Sequence, residues 1–375
     1  MAVRYLCANH HPDHDSICVF RTANRAAFEA AFVTVLQLAQ QLRLTRVGTV
    51  SVDGTKIQAN ASKHAAVSYQ RAGELIGQWQ LEVQELVTRA EQADTREAKE
   101  TLDIPAELTR RETRMAALKQ ARQVIEARAK GIVAAQQAEH QAKVTARQAQ
   151  RAAGKKPRGP EPQPPSETPD PKAQYNFTGP ESRIMKAGNG QHFEQAYNAP
   201  AAVNEVMLIV GQRVSDAPND KQELVATVAA ISPVMVEAVQ AVLVDSGFYS
   251  AAAVQAVEQK GDGTPSGLTV YAAMGKQSHH KTVADLLPSP EPAPLAADAA
   301  PRAKMTHRLQ TSVGKTLYKL RKQTVEPVFG IIKSVLGFRQ FLLRGREKVS
   351  LEWLLVCVSY NFKRLFTLKN LAPVR

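Results

Sequence analysis

Residues 49–53 read TVSVD and residues 241–245 read AVLVD. Each is a short apolar, Val-rich run closing on an aspartate, followed by Gly54 in one case and by Ser246-Gly247 in the other. Such runs fit the buried strands of a sheet. A carboxylate at the end of a buried strand lies at the sheet edge, held by the backbone yet reaching solvent, where the sites of α/β folds form. Two such acids on neighbouring strands would stand a few ångströms apart, as hard divalent ions require. Asp before Gly is also ordinary turn chemistry, so each aspartate taken singly reads first as a turn residue.

Further out, VMLIVGQRV (206–214) and LTVYAA (268–273) read as additional strands, and Asp220 with Glu223 fits a capping box opening a helix over 221–231. A helix is also expected over Asn24–Gln41. Alternating strands and helices predict an α/β chain with a mixed sheet. A third acid, Glu326, lies in YKLRKQTVEPVFGIIKS (318–334), expected as a helix with Pro327 in its first turn. Lys322 four residues before it and Lys333 seven after it would share its helix face. Val328, Phe329, Ile331 and Ile332 imply that this helix packs.

Residues 70–154 break the α/β rhythm. Ile76, Trp79, Val83, Leu86, Ala90 and Ala93 follow helical spacing, and Leu118, Ile125 and Ile132 repeat every seven residues after Pro105. The first helix is acidic and the second basic, which predicts an antiparallel hairpin with charges paired across it. GKKPRGPEPQPPSETPDP (154–171) and PSPEPAPLAADAAP (288–301) read as extended, exposed linkers.

The formal net charge of +13 is concentrated, since residues 301–375 alone hold 16 Lys and Arg against 3 acids. A basic segment on a neutral body favours a polyanion over a small neutral substrate. The apolar stretch Leu224–Val244 is broken by Pro233 and Glu237, so no membrane span is expected. Cys7, Cys18 and Cys357 make no disulfide framework, and no signal peptide is evident, which points to a reducing cytoplasm. Cys7, His10, His11, His14 and Cys18 have zinc-like composition but no finger spacing, and GKT at 314–316 lacks the first glycine of a phosphate loop. His279-His280 reads as a phosphate contact or nothing. Phe338, Phe341 and Trp353 read first as helix packing and second as base-stacking wedges.

Together, VSVDGTKIQANAS (50–62), VLVDSGFYS (242–250) and RKQTVEPVFGIIKSVLGFRQFLLRG (321–345) resemble the DDE transposases of bacterial insertion sequences, nearest the 1182 group. The stretch DPKAQY to KQEL (170–224) resembles the segment between that family's first two aspartates. The resemblance implies an RNase H-like sheet with flanking helices, formed by 49–62 and 172–375, with 63–153 as an inserted helical hairpin. It implies that Asp53, Asp245 and Glu326 are catalytic ligands for two Mg²⁺, replaceable by Mn²⁺, in cleavage and strand transfer at element ends. Tyr318, Arg321 or Lys322, and Lys333 resemble the signature around the last acid, with Arg339, Arg344 and Arg346 as further DNA contacts. Double-stranded DNA, a homodimer on that DNA and a nucleoid location follow from the resemblance. Relatives carry a longer helical N-terminal region, so residues 1–48 read as its remnant. The alternatives are an inactive remnant that binds DNA and a coiled-coil interaction protein.

Overall fold

The TVSVD stretch forms a strand that runs past its aspartate. β1 spans Thr49–Gln58, so Asp53 and Gly54 lie in mid-strand and neither a strand end nor a turn explains them. The computed structural model describes residues 13–371 apart from 47, 97–102, 153, 155, 158, 167, 188–189, 191, 276–290 and 297. They divide into two units, Met1–Asn60 with Glu181–Arg375, and Ala61–Pro180. The remaining strands are β2 (Ala66–Ser68), β3 (Gln174–Asn176), β4 (Arg183–Lys186), β5 (Phe193–Asn204), β6 (Ile209–Gln212), β7 (Ala241–Val244) and β8 (Thr269–Ala272). The helices are α1 (His14–Ala23), α2 (Arg25–Gln41), α3 (Tyr69–Arg96), α4 (Ile104–Ala152), α5 (Glu223–Ala229), α6 (Pro233–Val236), α7 (Ala251–Glu258), α8 (Pro301–Gln310), α9 (Ser312–Gly330) and α10 (Arg346–Leu371).

In the first unit the strand order is β4-β5-β1-β7-β8, with β6 also on β5. β1 is antiparallel to β5 and parallel to β7, and β7 is parallel to β8, which makes the sheet mixed as expected. A mixed sheet with flanking helices fits a DDE transposase fold. β5 has no counterpart among the expected strands. Its sequence, FEQAYNAPAAVN, is rich in Ala, Asn and Gln and contains Pro200, all poor strand formers. It forms because both its edges are paired and its residues from Gln195 to Asn204 are buried, so tertiary context overrides propensity. Conversely, VMLIVGQRV yields only the four residues of β6. Met207 takes a left-handed φ of 65°, and the Asn204 side chain accepts from the Leu208 N–H at 2.8 Å, so the chain turns there.

The capping box is also corrected. α5 begins at Glu223 behind Gln222, with no side-chain cap. Glu223 is instead buried, its carboxylate taken by Arg213 and by the Ser215 hydroxyl. Leaving a buried carboxylate unpaired would cost more than a cap contributes. Helix α2 matches the expected Asn24–Gln41 and packs against α10.

In the second unit α3 and α4 pack side by side over β2 and β3, with Val67, Ala72, Ile76, Leu118, Ala121, Ile125 and Tyr175 as a core. Glu82–Arg111 at 2.9 Å and the Arg122–Tyr69 hydroxyl bond at 2.7 Å show that the helices run antiparallel. Ile132 departs from the heptad, being 55% exposed, while Val133 is buried. A straight helix of 3.6 residues per turn drifts off a seven-residue repeat. Pairing across the hairpin is sparser than expected, since Arg71–Glu74, Arg89–Glu85 and Arg110–Glu107 are all intrahelical. Among its described residues the Pro-rich segment after α4 has no helix or strand before β3, yet it is not free. Arg147 donates to the Pro160 and Gly159 carbonyls, and His140 meets Pro162 O at 3.2 Å. Of the second Pro-rich stretch, 288–290 and 297 lie outside the described residues and Pro301 opens α8. No described helix is long and apolar enough to cross a membrane.

Candidate active site

Three elements of the first unit deliver the three acids. The parallel register of β1 on β7 pairs Thr49 with Ala241 and Ser51 with Leu243. Continued by two residues, it sets Asp245 beside Asp53. Asp245 immediately follows β7, and its Oδ1 accepts from the backbone N–H of Gly247 at 2.8 Å and of Phe248 at 3.3 Å. Turn chemistry and an outward carboxylate therefore coexist there, with one oxygen used by the turn.

α9 lies across this strand end. Arg321, Thr324, Val325 and Val328 are buried along one face, and the Thr324 hydroxyl donates to Ser51 Oγ at 2.7 Å, fixing the helix on β1. Pro327 sits in the last turn of α9 and not the first, and a π-helical turn, Ile331–Val335, follows it. Lys322 is exposed and makes no ion pair with the acids, whereas Arg321 is only 7% exposed and points at them. Its Nη1 bonds Glu326 Oε1 at 2.8 Å, and its Nη2 reaches Asp53 Oδ2 at 3.1 Å and Asp245 Oδ2 at 3.9 Å. The three acids therefore converge on one guanidinium, and Arg321, not Lys322, is the base that meets them.

Lys333 is carried on the π turn. Its Nζ donates to the Lys56 carbonyl at 2.8 Å, and burial lowers its pKa. The Tyr318 hydroxyl donates to Val244 O, the last carbonyl of β7, at 3.0 Å, and burial pushes its pKa up to about 12. Arg339 and Arg346 are exposed, and the Arg344 Nε donates to the Asn60 carbonyl at 3.0 Å. Phe338 meets Phe341 edge-on and lies tilted against Trp353, and Phe341 and Trp353 are fully buried, which fits packing residues.

The sequence reading passed over Asn198 and took Asp220 for a cap. On the opposite face of β1 from Asp53, Asp220 Oδ1 accepts from Asn198 Nδ2 at 2.6 Å and pairs with Lys56 Nζ at 3.3 Å. A Cβ on Gly54 would stand 2.7 Å from both Asn198 Oδ1 and Asp220 Oδ1. Gly54 is there because these side chains cross the strand where any other residue would collide. The Pro-Asn-Asp run at 218–220, polar between two apolar segments, was the available signal.

Electrostatics mark Asp53. Burial pushes its carboxyl from the ordinary 3.8 up to about 7, against the pull of Arg321, and the Asp245 charge adds to the rise. Arg321 cannot offset this because its one charge is shared among three carboxylates. Between pH about 4 and about 7 the unfolded chain has lost this proton while the folded chain keeps it. Stability in metal-free buffer should then fall by up to about 1.4 kcal/mol per pH unit and level off above about pH 7. Asp53→Asn should flatten that slope in thermal melts between about pH 5 and 7.5. Parallel slopes in the two proteins would show that Asp53 ionises in the ordinary range.

The donor set suits a hard divalent cation, being three carboxylates against the single charge of Arg321. Among the described residues, no group of three Asp, Glu, His or Cys could hold one ion in this arrangement. Of the zinc-like group, Cys7, His10 and His11 lie outside the described residues, as do His279 and His280.

Residues 295–366 match the family model described as a transposase DDE domain. That span contains Tyr318, Arg321, Glu326 and Lys333 and leaves Asp53 and Asp245 outside it. The match supports a DDE transposase family, and with it a transposase function and DNA as the partner. Members of this class generally use divalent metal ions. No curated protein and no solved structure matches the chain.

Proposed function

We propose that the chain is a metal-dependent DNA transposase that cuts element ends and joins them to target DNA, with Asp53, Asp245 and Glu326 as the residues that would hold its divalent ions. The observation that carries this reading is the convergence of those acids, 192 and 81 residues apart in sequence, on a single guanidinium. A scaffold protein has no use for a partly buried, undercompensated acidic triad. The fold is read as RNase H-like, with Ala61–Pro180 as a helical unit inserted between β1 and β4. The group is read as the 1182 insertion sequences, acting in the cytoplasm on nucleoid DNA as a homodimer.

Bound divalent ions, two Mg²⁺ or Mn²⁺, supply activation of water or a DNA 3′-OH and stabilise the leaving oxygen of an in-line displacement. The chain's own residues set the geometry. Asp53 is fixed by the ladder of β1 on β5, and Asp245 by the turn that its Oδ1 closes with Gly247 and Phe248, so the two carboxylates are held in place before the reaction. Glu326, about half exposed, comes from the rigid α9 and faces the same point. Tyr318 clamps the end of β7 under Asp245. Arg339 and Arg344 after the π turn, and Arg346 at the start of α10, are exposed and offer guanidinium groups to phosphates.

The test is nicking of supercoiled plasmid carrying the DNA that flanks this reading frame. Nicks mapping to the element ends, present with Mg²⁺ and absent with EDTA, are expected. Nicking that is indifferent to EDTA would exclude the metal-dependent reading.

A further inference from the structure

We propose that Arg321 is the resident counter-ion of the carboxylate triad, and that loading a divalent cation requires its guanidinium to leave the space between Asp53, Asp245 and Glu326. This rests on the reading of those acids as metal ligands. It adds a positioning residue that holds the site together before metal arrives and competes with metal for the same oxygens.

The geometry carries the argument. Among the described residues Arg321 is the ion-pair partner of all three acids, through Asp53 Oδ2, Asp245 Oδ2 and Glu326 Oε1. The other bases nearby are committed elsewhere: Lys333 to the Lys56 carbonyl, Lys56 to Asp220, and Lys322 to solvent. Of the remaining carboxylate oxygens, Asp53 Oδ1 accepts from the Gly54 N–H at 2.8 Å and Asp245 Oδ1 from the Gly247 N–H. Arg321 thus hydrogen-bonds Asp53 Oδ2 and Glu326 Oε1 and stands 3.9 Å from Asp245 Oδ2, the oxygens these turn and strand N–H groups leave over. A guanidinium N–H and a divalent ion cannot share one lone-pair direction, and like charges a few ångströms apart repel strongly in a partly buried site. In this arrangement the acids do not form, among the described residues, a group that could hold one ion.

Arg321 is also incompletely satisfied where it sits. Its Nε is buried without a hydrogen-bond partner. An orphaned buried donor favours any arrangement that lets it reach water or another acceptor. Holding the acids together in the metal-free chain and departing on loading are thus compatible roles for one side chain.

The experiment is calorimetric titration of the full chain with Mn²⁺ alone, without DNA. Arg321→Gln should bind Mn²⁺ at least about tenfold more tightly than wild type, and adding Asp245→Asn should remove that binding. An Arg321 with only a structural role would leave the Mn²⁺ affinity equal or weaker on substitution. Equal or weaker binding in a folded Arg321→Gln protein, lost with Asp245→Asn, overturns this proposal alone. Mn²⁺ binding that survives Asp245→Asn puts the ion elsewhere and overturns the metal reading together with the proposal. Should Arg321→Gln fail to fold, the wild type still decides. The Arg321 Nε–H resonance, assigned by its absence in Arg321→Lys, should shift in step with Mg²⁺ saturation. A resonance that stays fixed through saturation overturns the proposal.

Discussion

Asp245→Asn is expected to lower Mg²⁺-dependent nicking by at least about a thousandfold, the upper scale for losing one preorganised electrostatic element. The substitution keeps the shape of the side chain and removes its charge. It also spares the fold. Asp245 Oδ1 accepts from the Gly247 and Phe248 N–H groups, and an asparagine oxygen can accept both. The oxygen that faces Arg321 is the other one, Oδ2. Binding to DNA should stay within about twofold, because affinity for a phosphate backbone comes from the basic C-terminal segment and not from an acid. Nicking and binding measured on the same preparation separate the two effects. Wild-type nicking in the variant would remove Asp245 from the chemistry.

Gly314→Ala should cost about 3 kcal/mol or more, at the high end for overpacking. A Cβ there would lie 2.0 Å from the Arg308 carbonyl oxygen and 3.1 Å from Leu309 Cα. Those are backbone atoms of the last turn of α8, so no side chain can move aside to relieve the clash. α8 and α9 would have to separate, and α9 carries Tyr318, Arg321 and Glu326. Nicking should therefore fall along with the melting temperature. Gly330→Ala is the control, since a Cβ at Gly330 meets nothing within 4 Å, and it should be neutral or slightly stabilising. Equal melting temperatures for the two variants would show that the α8–α9 corner is looser than its geometry implies. The close approach also explains why GKT at 314–316 is no phosphate loop: its glycine is required by helix packing.

Parts of the site were legible because they obey local rules. Val-rich runs ending on acids mark β1 and β7, and apolar spacing marks α9 as a packed helix. Where local rules failed, something distant had intervened. Asp220 looked like a helix cap and is instead bound to Lys56 and Asn198. Pro327 looked like a helix start and lies in a last turn, because Val325, Val328 and Phe329 keep the helix pressed on the sheet on both sides of it.

The sequence by itself determined that two strands would each present an aspartate, that a later basic helix would present a glutamate, and that positive charge would gather around it. Those facts follow from periodicity, propensity and counting, all readable within a few residues. Only the tertiary structure decided that β5, with its Ala, Asn and Pro, is the partner of β1. It also decided that Gly54 serves close packing and that Arg321, not its neighbour Lys322, enters the acidic centre. Each of these depends on what lies across the sheet. Hydrogen-bond ladders and the desolvation of charge are set by partners more than a hundred residues away, which a local pattern cannot encode.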